Sequence, residues 1–320
     1  MLFFRGEGGH PLALIKYSKA AIAKIRTAQS GEVNIWQSDP VYGFSHKPNS
    51  SGIHQTSDFR ATYTIDANQG RVVETPVQPK AKLLLLGGSY TFGHGVNDDD
   101  CFASLVAENF PEVEVVNRGV MGWGTSQSML ALDEALAGSD PPDVVIYSMI
   151  PHHVNRNYIR RSWVESISTW SHRHPHFELV DGKITNLGLV SLEKSIPDST
   201  EVRVKELELT SAYLIAMAEA CADRQIGFAV SLLPEGKWPP SVIETLVRSE
   251  VPMLDLSELA VEGFAYDIHP NPDDHEAIAV ALTEFLRATF SRSLGLTNLS
   301  NVGGVGVRAV SGHAAISFER

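Results

Sequence analysis

Ser89 stands at the end of an apolar run and a glycine pair, Leu83-Leu84-Leu85-Leu86-Gly87-Gly88-Ser89-Tyr90-Thr91-Phe92-Gly93, and far along the chain comes Asp267-Ile268-His269-Pro270-Asn271. These are the residue types of a hydrolytic triad. A serine on a tight strand-to-helix turn has its hydroxyl pushed clear of the sheet. An imidazole can take its proton, and a carboxylate can orient the imidazole. In extended backbone, residues i and i+2 point to the same side, so Asp267 and His269 can face one serine together. Asp255, at the end of another apolar run, is the rival carboxylate. His275, at the start of the last helical pattern, reads as a structural hydrogen-bonding histidine.

The residues around the glycine pair exclude other uses of such a turn. No Lys-Ser or Lys-Thr completes a G-x-x-x-x-G-K-[ST] phosphate loop. Ser89 occupies the second glycine of a dinucleotide fingerprint. Thr91 stands where the G-x-S-x-G elbow requires glycine. His172, His174 and His176 alternate and could chelate a metal from one strand face. With Pro175 between them and no Cys or carboxylate at ligand spacing, a solvated loop is the better reading, and neither metal nor cofactor is expected. Cys101 and Cys221 have no metal-ligand spacing and read as free thiols.

These residues need a scaffold, and the pattern from Lys80 onward supplies one. Apolar runs at 83–86, 113–116, 144–149, 227–233 and 251–256 alternate with helical patterns near 98–109, 124–138, 203–224, 240–249 and 272–290. Strands alternating with helices predict a parallel sheet covered on both faces, an α/β fold. Residues 31–79 read as a β-rich extension, with one alternating stretch at 60–66. Residues 152–202 read as an insertion rising over the end of the sheet, with a hairpin turn at Asp181-Gly182. The main domain is thus 80–292, and 293–320, without sustained period, reads as a flexible tail. Residues 1–30 hold a basic amphipathic pattern at 11–27, which can pack on the protein or touch a membrane surface weakly. Trp123, Trp163 and Trp170 could line a sugar-stacking cleft or serve as packing.

The 320 residues carry a net charge of −12 and a pI near 5.4, against a role in holding a phosphate backbone, so no nucleic-acid partner is expected. No signal peptide or membrane-spanning run is evident, which leaves a cytoplasmic location as the default and the cell envelope as the alternative.

Three separated blocks resemble the SGNH, or GDSL-like, hydrolase superfamily: Gly87-Gly88-Ser89-Tyr90, Asn117-Arg118-Gly119, and Asp267-Ile268-His269-Pro270-Asn271. The resemblance implies a three-layer α/β/α sandwich of flavodoxin-like type and acyl cleavage or transfer on lipids, small esters or carbohydrates. It implies Ser89 as nucleophile, His269 as base, Asp267 as its orienting carboxylate, and the backbone N–H groups of Ser89 and Gly119 as oxyanion donors. Two spacings depart from the commoner pattern. Gly88 replaces the aspartate before serine, and the terminal pair is D-x-H rather than D-x-x-H; similar acyl-modifying sequences share both. The third block, G-x-N-D, is missing. By strand count His152 falls where its Asn belongs, while His153 opens an H-x-x-R-N pattern found in similar sequences; Asn155 and Asn157 are further candidates. An imidazole N–H can donate to an oxyanion.

The G-G-S-x-T-F-G form and the Tyr63-Thr64-Ile65-Asp66 strand look like members linked to envelope polysaccharide modification. The expected function is a serine esterase on short acyl esters, including O-acetyl groups on carbohydrate. An O-acyltransferase or a non-catalytic glycan-binding module are the alternatives.

Overall fold

The computed structural model describes residues 34–158, 160–163, 173–191 and 196–296, and the backbone of 307–310 and 313–316. The N-terminal amphipathic segment, Trp170 and His172 lie outside these residues. Two antiparallel hairpins come first: β1 (Trp36–Asp39) with β2 (Gly43–His46), and β3 (Ser50–Gln55) with β4 (Arg60–Ile65). The α/β rhythm comes next: β5 (Ala81–Gly87), α1 (Ser89–Phe92), α2 (Phe102–Glu108), β6 (Val113–Gly119), α3 (Thr125–Ala137), β7 (Val144–Met149) and α4 (Pro151–Asn155). A hairpin, β8 (Arg173–Val180) and β9 (Lys183–Ser191), precedes α5 (Thr200–Ala222), β10 (Gly227–Leu232), α6 (Pro240–Arg248), β11 (Met253–Asp255) and α7 (Pro272–Phe290).

The five-stranded sheet runs β6-β5-β7-β10-β11, every pair parallel. Strands so nearly all apolar must be buried on both faces. Along β5 the side chains alternate: Leu84 and Leu86 pack with Leu132 of α3, Tyr213 of α5 and Val242 of α6. Leu83 and Leu85 face Phe102 of α2 and Leu282 and Phe285 of α7. The result is a three-layer α/β/α sandwich. Taken in chain order the strands stand 2-1-3-4-5, the flavodoxin-like arrangement, whose order reverses between β5 and β7. Neighbouring crossovers leave on opposite faces there and open a crevice at the carboxyl ends of the two strands.

Capping residues define the long helices. Ser199 accepts the Val202 N–H at 3.2 Å at the start of α5, and Asn271 with Asp274 forms a reciprocal box at the start of α7, with Pro272 in the first turn. Asp181 and Gly182 both have positive φ (51° and 75°), as the two-residue turn of the β8–β9 hairpin requires. This hairpin packs against β2, α3 and α5. Where the sequence pattern indicated only a flexible tail, β12 (Val307–Val310) and β13 (His313–Ile316) pair antiparallel; strands this short fall below what alternation can reveal.

The extension is tied to the edge of the sheet by Arg71. Its backbone N–H donates to the Asn117 carbonyl at 2.9 Å, and its buried guanidinium lies over the Tyr63 and Phe92 rings. All three guanidinium nitrogens are engaged: Nε on Asp98 at 2.8 Å, Nη1 on the Phe92 and Gly93 carbonyls at 2.6 Å, Nη2 on the Val96 carbonyl at 2.7 Å.

Candidate active site

Ser89 is the first residue of α1, at the carboxyl end of β5 beside the switch point. The two preceding glycines are required by close approach. A Cβ on Gly87 would lie 2.1 Å from Thr91 Oγ1 and 2.6 Å from the Ser148 carbonyl; one on Gly88 would lie 2.5 Å from His153 Nε2. Ser89 is 6 % exposed, and its N–H, ahead of the first helical hydrogen bond (Phe92 N–H to the Gly88 carbonyl, 2.9 Å), has no acceptor among the described residues.

The loop before α7 carries Asp267 and His269 and is held from three sides. The Asp274 carboxylate accepts the N–H groups of Glu262 (2.9 Å), Gly263 (2.8 Å) and Asn271 (3.0 Å). Asp58, between β3 and β4, accepts the Tyr266 N–H at 2.7 Å, and the Tyr90 hydroxyl donates to the Ile268 carbonyl at 3.0 Å. Within the loop Asp267 Oδ1 accepts the His269 N–H at 2.9 Å and faces His269 Nδ1 at 2.5 Å. The D-x-H spacing thus forms an Asx turn that aims the ring as well as the backbone.

His269 Nε2 lies 2.7 Å from Ser89 Oγ. Serine, imidazole and carboxylate therefore form one hydrogen-bonded line. Burial alone would raise the Asp267 carboxyl; the charge and hydrogen bond of His269, then those of His94, outweigh it and hold Asp267 well below the ordinary carboxylate range. Asp267 stays ionised at any working pH.

His94, in the loop that Arg71 braces, is a site residue that the sequence pattern does not single out. Its Nε2 is 3.4 Å from Asp267 Oδ2, its ring centroid is 4.4 Å from that of His269, and its Nδ1 lies 2.8 Å from Met121 Sδ. Burial, then the neighbouring His269, lowers its pKa, so it is neutral at pH 7. His54 and Phe59 close over it edge-on. The only hint in the sequence is the position of His94 just after the nucleophile helix. His94, Asp267 and His269 are close enough together to hold an ion. Within the chain, His94 Nε2 and His269 Nδ1 already face the Asp267 carboxylate, and His269 Nε2 faces Ser89 Oγ.

The candidate oxyanion donors separate clearly. His153 is 1 % exposed; its Nδ1 lies 2.8 Å from Tyr147 Oη, which lies 3.0 Å from Thr125 Oγ1, and its Nε2, beside Gly88, has no partner among the described residues. Burial, then the charge of Arg156, pushes the His153 pKa well below its ordinary value, so the ring is neutral. His152 instead places Nδ1 2.7 Å from Glu235 Oε1. Asn155 accepts from Arg203 at 3.4 Å, and Asn157 joins Ser126, Thr125 and Thr210 as a buried strut. Gly119 needs a correction. Its N–H donates to Asn117 Oδ1 at 2.9 Å and is already engaged. The turn after β6, closed by the Trp123 N–H on the Val120 carbonyl at 3.0 Å, sets Gly122 at φ 88°, and the Gly122 N–H has no acceptor among the described residues.

Other candidates fall away from the crevice. Asp255 is exposed and accepts the Ser257 N–H at 2.9 Å. His275 accepts the Phe102 N–H at 3.2 Å, joining α7 to α2, and burial lowers its pKa to about 3. His174 Nδ1 lies by the Pro175 carbonyl and His176 Nε2 by Glu178, so the two share no ligand position. Trp123 is core, stacked on Tyr42 with its N–H on the Phe44 carbonyl; Trp163 lies under the Arg156 guanidinium. Cys101 and Cys221 are buried free thiols. Among the described residues no helix is long and apolar enough to cross a membrane.

No protein-family model matches the chain, and no curated protein resembles it in sequence. Solved structures do resemble it in fold. A G-D-S-L family protein from Desulfitobacterium hafniense DCB-2 is 14 % identical, covering 65 % of this chain and 100 % of its own, with a TM-score of 0.42. The native M. smegmatis aryl esterase is 12 % identical (66 % and 100 % covered, TM-score 0.42). A carbohydrate acetylesterase family member from Sinorhizobium meliloti is 12 % identical (68 % and 100 % covered, TM-score 0.39).

Proposed function

We propose that the chain is a serine-dependent esterase of the SGNH type, acting on short acyl esters, with O-acetylated carbohydrate as its natural substrate class. The observation that carries this reading is the 2.7 Å contact of Ser89 Oγ with an imidazole whose other nitrogen meets an ionised carboxylate. His269 Nε2 takes the Ser89 proton as Oγ attacks the ester carbonyl, and Asp267 stabilises the imidazolium. The imidazolium protonates the departing alcohol. Water, deprotonated by the same ring, then attacks the acyl-enzyme and frees the acid.

Charge develops on the carbonyl oxygen in both steps. The unengaged N–H groups of Ser89 and Gly122 and the unpartnered His153 Nε2 are its proposed donors. For His153 this requires the tautomer with hydrogen on Nε2. That tautomer requires the Tyr147 hydroxyl to donate to Nδ1, 2.8 Å away, in place of Thr125 Oγ1, to which it donates at 3.0 Å.

The test is hydrolysis of 4-nitrophenyl acetate and fluorophosphonate labelling, with circular dichroism to check folding. Ser89→Ala and His269→Ala each bring turnover close to background, and the double variant is little worse than either, because the triad acts as a unit. Wild-type turnover by Ser89→Ala refutes the mechanism.

A further inference from the structure

Two arginines lie near Ser89, Arg71 fully buried and Arg156 half-buried, and they are used differently. Arg71 has every guanidinium nitrogen engaged and Asp98 as counter-ion. Arg156 has one anchored nitrogen: Nη1 donates to the Trp123 carbonyl at 2.7 Å. Its Nε is buried without a partner, and no acceptor for Nη2 and no carboxylate within ion-pair distance occur among the described residues. Glu235, the carboxylate whose field reaches it most strongly, is already engaged by the His152 ring and backbone N–H.

The position of this cation is fixed. The guanidinium lies over the Trp163 ring at 4.7 Å, the Trp123 carbonyl holds one end, and Nη1 would stand 3.3 Å from a Cβ on Gly88, the residue before the nucleophile. A half-buried guanidinium whose buried Nε finds no acceptor loses hydration that the chain does not return, so a site of this kind calls for an acceptor from outside the chain. The unengaged Nε–Nη2 edge is the fork that pairs with a carboxylate through two parallel hydrogen bonds.

We propose that Arg156 is an anion-binding subsite beside Ser89 that selects esters carrying a carboxylate, such as acylated acidic sugars. The inference rests on the esterase reading above and narrows its substrate class. Arg156 acts here as a specificity residue, since it holds a part of the substrate that does not react.

The experiment compares matched pairs of esters: phenyl acetate with 3-acetoxybenzoate, where the charge is on the alcohol half, and 4-nitrophenyl acetate with 4-nitrophenyl hemisuccinate, where it is on the acyl half. Wild type favours the charged member of one pair in kcat/KM. Arg156→Gln reduces that preference by about 10- to 100-fold, chiefly through KM, and Arg156→Lys, which keeps charge without the fork, falls between. Should the Gln variant fail to fold, Lys carries the test. A second arm needs no turnover: benzoate binds Ser89→Ala in calorimetry and binds Ser89→Ala/Arg156→Gln at least tenfold more weakly. If no ester is turned over but benzoate binding depends on Arg156, the subsite stands and the esterase reading falls. Equal losses on charged and neutral esters, or benzoate binding indifferent to Arg156, overturn the proposal and leave the guanidinium as oxyanion donor or framework.

Discussion

Replacing Gly88 by alanine adds one methyl group at the point where nucleophile and proposed oxyanion donor meet. The φ of Gly88, −100°, is one any residue adopts, so the consequence comes from contact. The new Cβ would stand 2.5 Å from His153 Nε2, and an ordinary contact needs about an ångström more. His153 cannot give way cheaply: it is buried, its ring stacks on Tyr147, and its Nδ1 is 2.8 Å from the Tyr147 hydroxyl. Either the ring leaves Tyr147, losing a net ~0.5–1.5 kcal/mol of hydrogen bond, or the elbow shifts and moves Ser89, at an overpacking cost of ~1–3 kcal/mol. Gly88→Ala therefore loses ~0.5–3 kcal/mol of stability in urea unfolding, and kcat on 4-nitrophenyl acetate falls by ~10²–10³ as one oxyanion donor is displaced. The deciding measurement is the double-mutant cycle with His153→Ala. Once the imidazole is gone the methyl has space, and Gly88→Ala adds little further loss in either quantity. Equal penalties in both backgrounds would show that the methyl acts through the backbone alone and refute the placement of His153.

Asp274 supports three backbone N–H groups of the loop that carries Asp267 and His269. Asp274→Ala lowers stability by about 2–4 kcal/mol in urea unfolding and slows fluorophosphonate labelling of Ser89 roughly tenfold, while Asp274→Asn, which keeps one acceptor, loses less. Glu206 is buried with Arg160 Nε at 2.6 Å, and burial raises its pKa to about 7, against the pull of Arg160 and Arg203. From about pH 4.5 to 7 the folded chain holds a proton there that the unfolded chain has released, so stability falls as pH rises through that window; Glu206→Gln flattens this part of a thermal-melting profile.

The parallel strands and helices were legible because each carries its own period: β7 and α7 were marked out to the residue by apolar runs, caps and Pro272. Ser89, Asp267 and His269 stand out in the sequence because the chemistry open to their types is tied to spacing along the chain, and the fold brings the three within hydrogen-bond reach. The remaining site residues depend on which atoms are already engaged. Gly119 and Gly122 differ in that the Asn117 side chain occupies the amide of the first. His152 and His153 differ because Glu235 draws one ring away while Tyr147 orients the other. His94 and Arg156 entered through tertiary contacts with Asp267 and Gly88 that no periodicity marks.

The engagement of Arg71 changes what the β-rich extension is for. Cutting the chain at the start of the α/β rhythm would leave the carbonyls of Phe92, Gly93 and Val96 without their donor and Tyr266 without Asp58. The extension is thus a splint beside Ser89 and Tyr266, adding supports to those that the two segments draw from Asp274 and Tyr90. Anyone shortening or grafting this fold must carry the splint along. The β8–β9 hairpin packs on β2, α3 and α5, seats Phe177 in the core against Tyr213, and supplies none of these supports.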